Sequence, residues 1–225
     1  FSSRRRHTRF RNVTGVQTCA LPILPNEVVT ILEKTLEEKY DEELMKSVIE
    51  GKNDSGSIVD EKVRKAKNAW LSAAHWVNGF VMHYVTLANQ QNFRYDLIGI
   101  DGQQVQYTVY DKGEFYNWHV DQGVSSYYKP DTNNNHGFTE DVIRDHIIPQ
   151  GELVRKLSFS LQLSDEDDYK GGELQLMDEA DGIYEVPKKK GLLVCFDSRT
   201  RHRVNKVLSG RRKSLVGWVV GPRWR

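Results

Sequence analysis

A histidine and an aspartate two positions apart close a pair of strand-forming runs near the middle of this 225-residue chain. The runs cover residues 107–110 and 115–120, and residues 111–114 between them have turn chemistry, so the pattern predicts a β-hairpin. Side chains two positions apart in a strand project to the same face, which places His119 and Asp121 side by side. One imidazole and one carboxylate held on the same face supply two of the three ligands of a 2-His-1-carboxylate site.

A second histidine is a candidate partner for this pair. His202 lies 83 positions after His119 and opens a strand-like run, 202–208, which turns and returns over 213–220, with Arg212 at the start of the return. Two neutral imidazoles and one carboxylate form a facial triad that suits Fe(II) and leaves coordination positions open. A guanidinium in the same cavity would bind a carboxylate through two hydrogen bonds. An open iron site beside a carboxylate anchor is what a 2-oxoglutarate co-substrate requires.

The order and spacing of these residues are more specific than any one of them. A His-x-Asp pair arises often by chance, and a single histidine is more often a core or surface residue than a ligand. In this chain the pair follows a Tyr-x-x-Gly-x-x-Tyr pattern and precedes a Gly-Gly-Glu-Leu segment, the second histidine and an arginine ten residues further on. That combination favours a metal-dependent site.

From about residue 24 onwards the chain resembles the iron- and 2-oxoglutarate-dependent dioxygenases of the prolyl 4-hydroxylase type, near the PKHD-type hydroxylases. The residues that carry the resemblance are Tyr110, Gly113, Tyr116, His119 and Asp121; Tyr169, Lys170, Gly171, Gly172, Glu173 and Leu174; and His202, Val204, Val207, Gly210, Arg212 and Trp218. The resemblance implies a mainly β domain over residues 24–225. Its jelly-roll core, a double-stranded β-helix over 92–225, would be backed by helical support over 24–91.

The resemblance also implies roles for individual residues. Iron would be held by His119, Asp121 and His202. The residues implied to bind 2-oxoglutarate are Arg212, at the distal carboxylate, Tyr110 and Ser214. The residues implied to line the substrate pocket are Trp218, Tyr116 and Gln162. The implied cofactors are Fe(II), 2-oxoglutarate and O2, with ascorbate as an additional one.

Two positions depart from the PKHD pattern. Lys206 stands where that pattern has a proline before Val207. Gln162 stands near a position that carries an aromatic residue on the strand facing the co-substrate. Neither change affects the three metal ligands, but both bear on the subfamily and hence on the substrate.

The implied reaction is hydroxylation of a C–H bond, on a peptidyl proline or a similar side chain, with release of succinate and CO2. Three alternatives stay open: a non-enzymatic jelly-roll binding module, a zinc hydrolase with the same ligands, and an oxygenase that acts on nucleobases. Intact ligands argue against the binding module, and a hydrolase leaves Arg212 without a function.

The first 23 residues differ from the rest of the chain, since they contain five arginines, no acidic residue and no regular period. Composition alone permits a nucleic-acid-binding arm or a transit peptide. The string also resembles translated sequencing adapter, so residues 1–23 are predicted to be an unstructured, adapter-derived artefact. Without them the net charge changes from +1 to −4, which removes the basic footprint that nucleic acids need.

Composition and cysteine content suggest where the protein works. The chain is 38% hydrophobic and 28% charged, as globular proteins are, and no apolar run approaches the roughly 20 residues of a membrane span. Outside the first 23 residues, Cys195 is the one cysteine, so a buried thiol and a reducing cytoplasm are predicted. The predicted partner is a peptide or protein substrate, and neither a membrane nor a nucleic acid.

Residues 24–91 are predicted to be mostly helical. Asn26 is a plausible N-cap for a first helix that continues to about Val48, and a second helix is predicted over 60–88. Residues 122–150 are long for a connection. Two interpretations stay open for them: a solvated loop with a short helix over 139–147, or a lid over the substrate. The acidic residues 165–168 lack the order of a calcium loop and are predicted to be a solvated turn.

Overall fold

The computed structural model describes residues 18–22, 25–47, 49, 50, 57, 58, 60–121, 153–178 and 182–224. Its α-helices are α1 (Asn26–Tyr40) and α2 (Trp76–Ala88). The strands are β1 (Thr18–Pro22), β2 (Met45–Lys46), β3 (Ile49–Glu50), β4 (Ser57–Ile58), β5 (Arg64–Lys65), β6 (Lys67–Trp70), β7 (Gly99–Ile100), β8 (Gln106–Tyr110), β9 (Phe115–His119), β10 (Leu153–Gln162), β11 (Tyr169–Gly171), β12 (Leu174–Met177), β13 (Ile183–Glu185), β14 (Leu192–Asp197), β15 (His202–Val204), β16 (Val207–Gly210) and β17 (Arg212–Pro222).

Most of these strands belong to two antiparallel sheets that face each other. The larger sheet has the order β1-β14-β10-β17-β8-β6-β2, with β7 also paired to β17, and the smaller one has the order β13-β12-β15-β9-β5. Side chains from both sheets meet in one buried cluster between them, which includes Tyr110, Leu176, Val194 and Val204. The predicted mainly β, two-sheet framework is therefore confirmed.

Strand alternation divides the larger sheet into a cavity face and a helix face. On neighbouring strands, Ser158 pairs with Trp218 and Ser160 pairs with Val216, and these side chains face the cavity. The residues between them, such as Phe159, belong to a separate apolar cluster with both helices. The helices therefore back the larger sheet, as predicted, and leave its other face for the site.

Ion pairs with low exposure attach α1 to the larger sheet. A Glu33 carboxylate oxygen lies 2.6 Å from Lys190 Nζ, and the other oxygen lies 2.5 Å from Lys213 Nζ. Lys213 also pairs with Glu37. The pKa of Lys213 is raised, because these carboxylates outweigh burial, which by itself would lower it. Since Lys213 follows Arg212 on β17, this network fixes the strand that presents Arg212.

Replacing Glu33 with glutamine is expected to destabilise the protein by roughly 3 kcal/mol, because it leaves two poorly solvated ammonium groups without their shared carboxylate. Chemical denaturation of the variant measures this change. Glu38→Gln is the matched control on the same helix, because among the described residues Glu38 pairs with Lys34 alone, and the side chains of Glu38 and Lys34 are 68% and 76% exposed. Similar midpoints for the two variants would contradict a structural role for the Glu33 network.

The prediction that residues 1–23 are unstructured is wrong for residues 18–22. They form β1, which pairs with β14 from Thr18 opposite Phe196 to Pro22 opposite Leu192. An open sheet edge pairs through backbone groups, and five extended residues can supply those without a visible sequence period. Residues 1–17, 23 and 24 lie outside the described residues, and the adapter origin stays a prediction.

The prediction of one helix over 60–88 is wrong before Trp76. Residues 64–65 and 67–70 form β5 and β6, which pair with β9 and β8 respectively. Sheet hydrogen bonds replace the helical ones there, and α2 begins only where His75 Nδ1 accepts a hydrogen bond from the Val77 backbone N–H. The first helix also ends earlier than predicted, at Tyr40. Its N-cap is Pro25, so Asn26 is the first helical residue and not the cap.

The two predicted hairpins are also wrong. β8 pairs with β6 and β17, whereas β9 pairs with β5 and β15, so residues 111–114 cross from one sheet to the other. Gly113 permits this crossing with a positive φ of 87°, and its N–H donates to the Val207 carbonyl. The 202–208 run is divided into β15 and β16, and β16 pairs with β11 instead of β17.

Two further predictions concern other parts of the chain. The loop 122–150, with its proposed helix and its possible function as a lid, lies outside the described residues. Within the described parts of the chain, no helix combines the length and apolar character that a membrane span requires.

Candidate metal and co-substrate site

The two histidines are brought together by a strand pair with a bulge. His202 at the start of β15 lies opposite His119 at the end of β9, and Val204 lies opposite Tyr116. β9 therefore has one more residue than β15 between the paired positions. This bulge turns both Tyr116 and His119 towards the cavity, where their rings stack with centroids 3.5 Å apart.

Asp121 follows β9 and is held by two serines. Its backbone N–H donates to the Ser198 carbonyl at 3.0 Å. The Ser158 hydroxyl donates to Asp121 Oδ2 at 2.7 Å and lies 3.0 Å from the Ser198 hydroxyl. These contacts fix one carboxylate oxygen towards β10.

The three side chains form one compact group. Their ligand atoms all lie within 4.8 Å of one another. Asp121 Oδ1 is 3.5 Å from His119 Nε2, and Asp121 Oδ2 is 3.3 Å from His202 Nε2. Side-chain exposure is 14% for His119, 8% for Asp121 and 7% for His202, so water is largely excluded from the cluster.

Backbone contacts orient both imidazoles in the same way. The His119 Nδ1–H donates to the Asn117 carbonyl at 2.7 Å, and the His202 Nδ1–H donates to the Thr200 carbonyl at 2.9 Å. Because a carbonyl can only accept, Nδ1 carries the proton in both rings and the Nε2 lone pair is left for a metal.

Burial and mutual contact set the charge states of the group. Burial lowers the pKa of His119, and the neighbouring His202 lowers it further. Burial acts to raise the pKa of Asp121, but the two imidazoles hold it well below its usual value. Burial acts to lower the pKa of His202, yet Asp121 raises it overall. The ionised carboxylate and the aligned nitrogens fit a divalent metal, and the two-imidazole, one-carboxylate set is the facial triad that suits Fe(II).

A small pocket opens between the sheets. It lies next to this group, because Ser160 and Val194 in its lining stand two positions from Ser158 and Phe196, which contact Asp121 and His202. Its empty space, counting the part open to solvent, is about 260 Å³. Its lining residues are Ser160, Gln162, Tyr169, Leu174, Val186, Pro187, Lys188, Leu192, Val194 and Arg212. Polar groups thus converge in a mainly apolar pocket.

Arg212 is the buried cation of this pocket, with 3% of its surface exposed. Its Nη1 donates to the Ser214 hydroxyl at 3.0 Å, and its guanidinium carbon lies 5.5 Å from the centre of the Tyr110 ring. Its Nε finds no hydrogen-bond partner among the residues that the structure describes. A buried guanidinium with an unused donor fits an anionic ligand such as a carboxylate.

Some of the other residues predicted from the sequence lie with Arg212, and others lie near the metal-ligand candidates. Gln162 lines the pocket with Arg212, whereas Ser214 and Tyr110 contact Arg212 itself. Tyr116 stacks on His119. Trp218 lies on the cavity face opposite Ser158 and contacts the Arg155 guanidinium at 4.1 Å.

Several site residues have no counterpart in the sequence predictions. Ser158 could have been found from the alternation along β10, which places Ser158, Ser160 and Gln162 on one face. Arg64 gave no usable signal, because it was assigned to a helix. In the structure its Nη2 donates to Gln106 at 3.0 Å, and its guanidinium lies over the Tyr116 ring.

A family model described as the 2OG-Fe(II) oxygenase superfamily matches residues 105–220, more than half of the chain. The chain belongs to this superfamily. The match covers β8 to most of β17 and therefore all three metal-ligand candidates and Arg212. The resemblance inferred from the sequence is thus confirmed at the level of the superfamily.

Curated relatives that match part of the chain are PKHD-type hydroxylases. A PKHD-type hydroxylase of Parvibaculum lavamentivorans is 46% identical over 63 residues, which are 28% of this chain and 28% of that protein. Another PKHD-type hydroxylase, from a Synechococcus strain, is 35% identical over 107 residues, or 48% of this chain and 37% of that protein. The oxygenase thus spans about a third of the length of these relatives.

Solved structures share the fold. A prolyl 4-hydroxylase of Pseudomonas putida matches with a TM-score of 0.62 and 21% identity, covering 93% of this chain and 94% of that one. A Trichoplax adhaerens prolyl hydroxylase, in complex with a hypoxia inducible factor peptide fragment, matches with a TM-score of 0.63 and 16% identity, covering 90% and 83%. These likenesses confirm the predicted jelly-roll fold.

Proposed function

We propose that this oxygenase hydroxylates a C–H bond of a peptide or protein, with 2-oxoglutarate as co-substrate. One observation carries the proposal: His119, Asp121 and His202 lie together between the sheets, next to the pocket that the buried Arg212 lines. A metal group alone would fit many reactions. A carboxylate-binding pocket beside it favours the chemistry of a 2-oxo acid.

Some side chains of the site would bind Fe(II) and 2-oxoglutarate, and others would orient those that bind. His119, Asp121 and His202 would hold Fe(II), with Ser158 fixing the carboxylate. Arg212 would bind the distal carboxylate of 2-oxoglutarate, and Ser214 would orient its guanidinium. Bound together, Fe(II), 2-oxoglutarate and O2 would supply the oxidation of a substrate C–H to C–OH, with succinate and CO2 as the other products.

The apolar walls of the cavity support the same reaction. Leu174, Leu192 and Val194 line the pocket, and Phe196 packs against His202 with ring centroids 4.8 Å apart. These residues exclude water around Arg212 and the metal ligands, which strengthens charged interactions and protects reactive species. Tyr116 and Trp218 would form the wall that faces the substrate.

Peptidyl proline is the proposed substrate because prolyl hydroxylases are among the fold neighbours, one of them in complex with a peptide. The test measures succinate released by the Fe(II)-loaded protein with a proline-containing peptide library, and in parallel with a nucleic-acid pool. Release stimulated by the peptides supports the proposal. Stimulation by nucleic acid alone would favour a nucleobase oxygenase, and no 2-oxoglutarate consumption in either case would favour a binding module.

Three finer features belong to the proposal. Stimulation by ascorbate rests on the family resemblance. A cytoplasmic location rests on Cys195 as the one cysteine outside the first 23 residues, and the absence of nucleic-acid partners rests on the net charge of −4 without those residues. A zinc hydrolase remains the rival use of the same ligands, and it differs in needing neither 2-oxoglutarate nor Arg212. The metal requirement of succinate release therefore separates the two.

A further inference from the structure

We propose that the Tyr169 hydroxyl is a second anchor for the distal carboxylate of 2-oxoglutarate, donating a hydrogen bond beside Arg212. The inference rests on the proposed function and assigns a ligand contact to the Tyr-x-Gly-Gly segment of the sequence. It also gives Gln162 a specific task, that of fixing this tyrosine.

Tyr169 lies in the same pocket as Arg212. It lies on β11, it is 3% exposed, and it lines the pocket together with Gln162 and Arg212. The burial of its ring raises the pKa of Tyr169, whereas Arg212 and the Gln162 amide act in the opposite direction. The hydroxyl therefore stays protonated at neutral pH and lies within the electrostatic reach of the Arg212 guanidinium.

The direction of the surrounding hydrogen bonds leaves the tyrosine proton for a ligand. Gln162 Nε2 lies 3.3 Å from the Ser164 carbonyl and 2.8 Å from the Tyr169 hydroxyl. Because the carbonyl can only accept, this atom is the amide nitrogen, and it donates to the Tyr169 oxygen as well. The Tyr169 oxygen is thus an acceptor from Gln162, and its own hydrogen can be donated into the pocket.

Arg212 supplies the matching donor. Its Nη1 is engaged by Ser214, while its buried Nε finds no hydrogen-bond partner in the described part of the chain. Guanidinium and hydroxyl donors thus converge in this part of the pocket. A carboxylate, which only accepts, satisfies both the Tyr169 hydroxyl and the guanidinium.

The backbone around Tyr169 is built to hold it close to the pocket. Tyr169 on β11 pairs with Gly210 on β16, and a Cβ atom at Gly210 would lie 2.0 Å from the Asp168 carbonyl oxygen. A Cβ atom at Gly171 would lie 2.2 Å from the Lys206 carbonyl oxygen. Both glycines also have positive φ, so no other residue fits there without strain. The Lys188 ammonium lies over the Tyr169 ring, 4.7 Å from its centre.

The test compares two ligands that differ only at the distal end. Calorimetry on the Mn(II)-loaded full chain, without turnover, measures the affinity for 2-oxoglutarate and for 2-oxopentanoate, in which a methyl group replaces the distal carboxylate. Tyr169→Phe keeps the ring and removes the hydroxyl. We expect it to weaken 2-oxoglutarate binding about 10- to 100-fold, the usual effect of one hydrogen bond to a charged group, and to leave 2-oxopentanoate binding unchanged.

Tyr184→Phe is the matched control, because Tyr184 packs against the same inter-sheet cluster but does not line the pocket. Unchanged 2-oxoglutarate affinity in Tyr169→Phe, or equal weakening for both ligands, would overturn the inference. If Tyr169→Phe does not fold, the affinities for 2-oxoglutarate and 2-oxopentanoate are measured for Gln162→Met instead, and the same two outcomes would overturn the inference. Failure of the wild-type protein to bind 2-oxoglutarate would instead refute the proposed function.

Discussion

Replacing Arg212 with alanine is expected to weaken 2-oxoglutarate binding by about 30- to several-thousand-fold while iron binding stays nearly intact. Removing one member of a buried charge pair costs roughly 2–5 kcal/mol, because the other charge stays buried without its partner. Arg212 is 3% exposed, and it does not touch the three metal-ligand candidates through any described hydrogen bond. Anaerobic titration of the Fe(II)-loaded variant with 2-oxoglutarate measures the effect.

Arg211→Ala is the internal control for this prediction. The Arg211 side chain projects away from the pocket and pairs with Asp41 and Asp111 at 2.9 and 2.8 Å. Its removal should reduce stability slightly, since its side chain is 41% exposed, and should leave 2-oxoglutarate affinity unchanged. Small and equal effects at both positions would show that Arg212 has no special function in co-substrate binding.

Replacing His119, Asp121 or His202 with alanine is expected to abolish turnover in each case. Each side chain supplies one of three ligand atoms that lie within 4.8 Å of one another, and two ligands no longer hold Fe(II) in a facial arrangement. Metal content after anaerobic reconstitution and succinate formation are the two measurements. Neither histidine variant is expected to retain partial activity.

The control for the metal-ligand variants is His83→Ala. His83 is exposed on α2, where its ring contacts Tyr84, so its removal should change neither metal content nor turnover. A His119→Ala protein that still bound one Fe(II) and produced succinate at the wild-type rate would refute the assignment of the triad.

The metal-ligand candidates could be predicted from the sequence because they depend on local rules. Strand alternation places His119 and Asp121 together, and chain order supplies His202 and Arg212. The structure adds what those rules lack. The bulge in β9 turns Tyr116 to the same side as His119, and carbonyl groups two residues before each histidine select the Nε2 atom for the metal.

Sheet membership could not be predicted in the same way. Residues 111–114 have turn chemistry, but turn chemistry does not determine which sheet each neighbouring strand joins. The chain uses that turn to pass from the larger sheet to the smaller one, so β8 presents Tyr110 near Arg212 while β9 presents His119. A local hairpin would have put both strands in one sheet and removed the cavity between them.

Tertiary contacts also determine the secondary structure of the segment before α2. Its apolar residues have spacings that suit a helix, yet β6 pairs with β8, and this pairing places Trp70 beside Trp218 with ring centroids 6.2 Å apart. Strand propensity depends strongly on the partner strand. Tyr169 was likewise recognised only as part of a motif, because its hydrogen bond to Gln162 joins residues that belong to different strands.

The most direct test of the site is equilibrium binding of 2-oxoglutarate to the wild-type protein under anaerobic conditions, with Fe(II) and after removal of the metal with a chelator. Coordination of the 2-oxo acid to iron and capture of its distal carboxylate by Arg212 predict one 2-oxoglutarate bound per Fe(II), with affinity that falls sharply when the metal is removed. Equal affinity with and without Fe(II), or no binding in either case, would contradict a combined iron and 2-oxoglutarate site in this cavity.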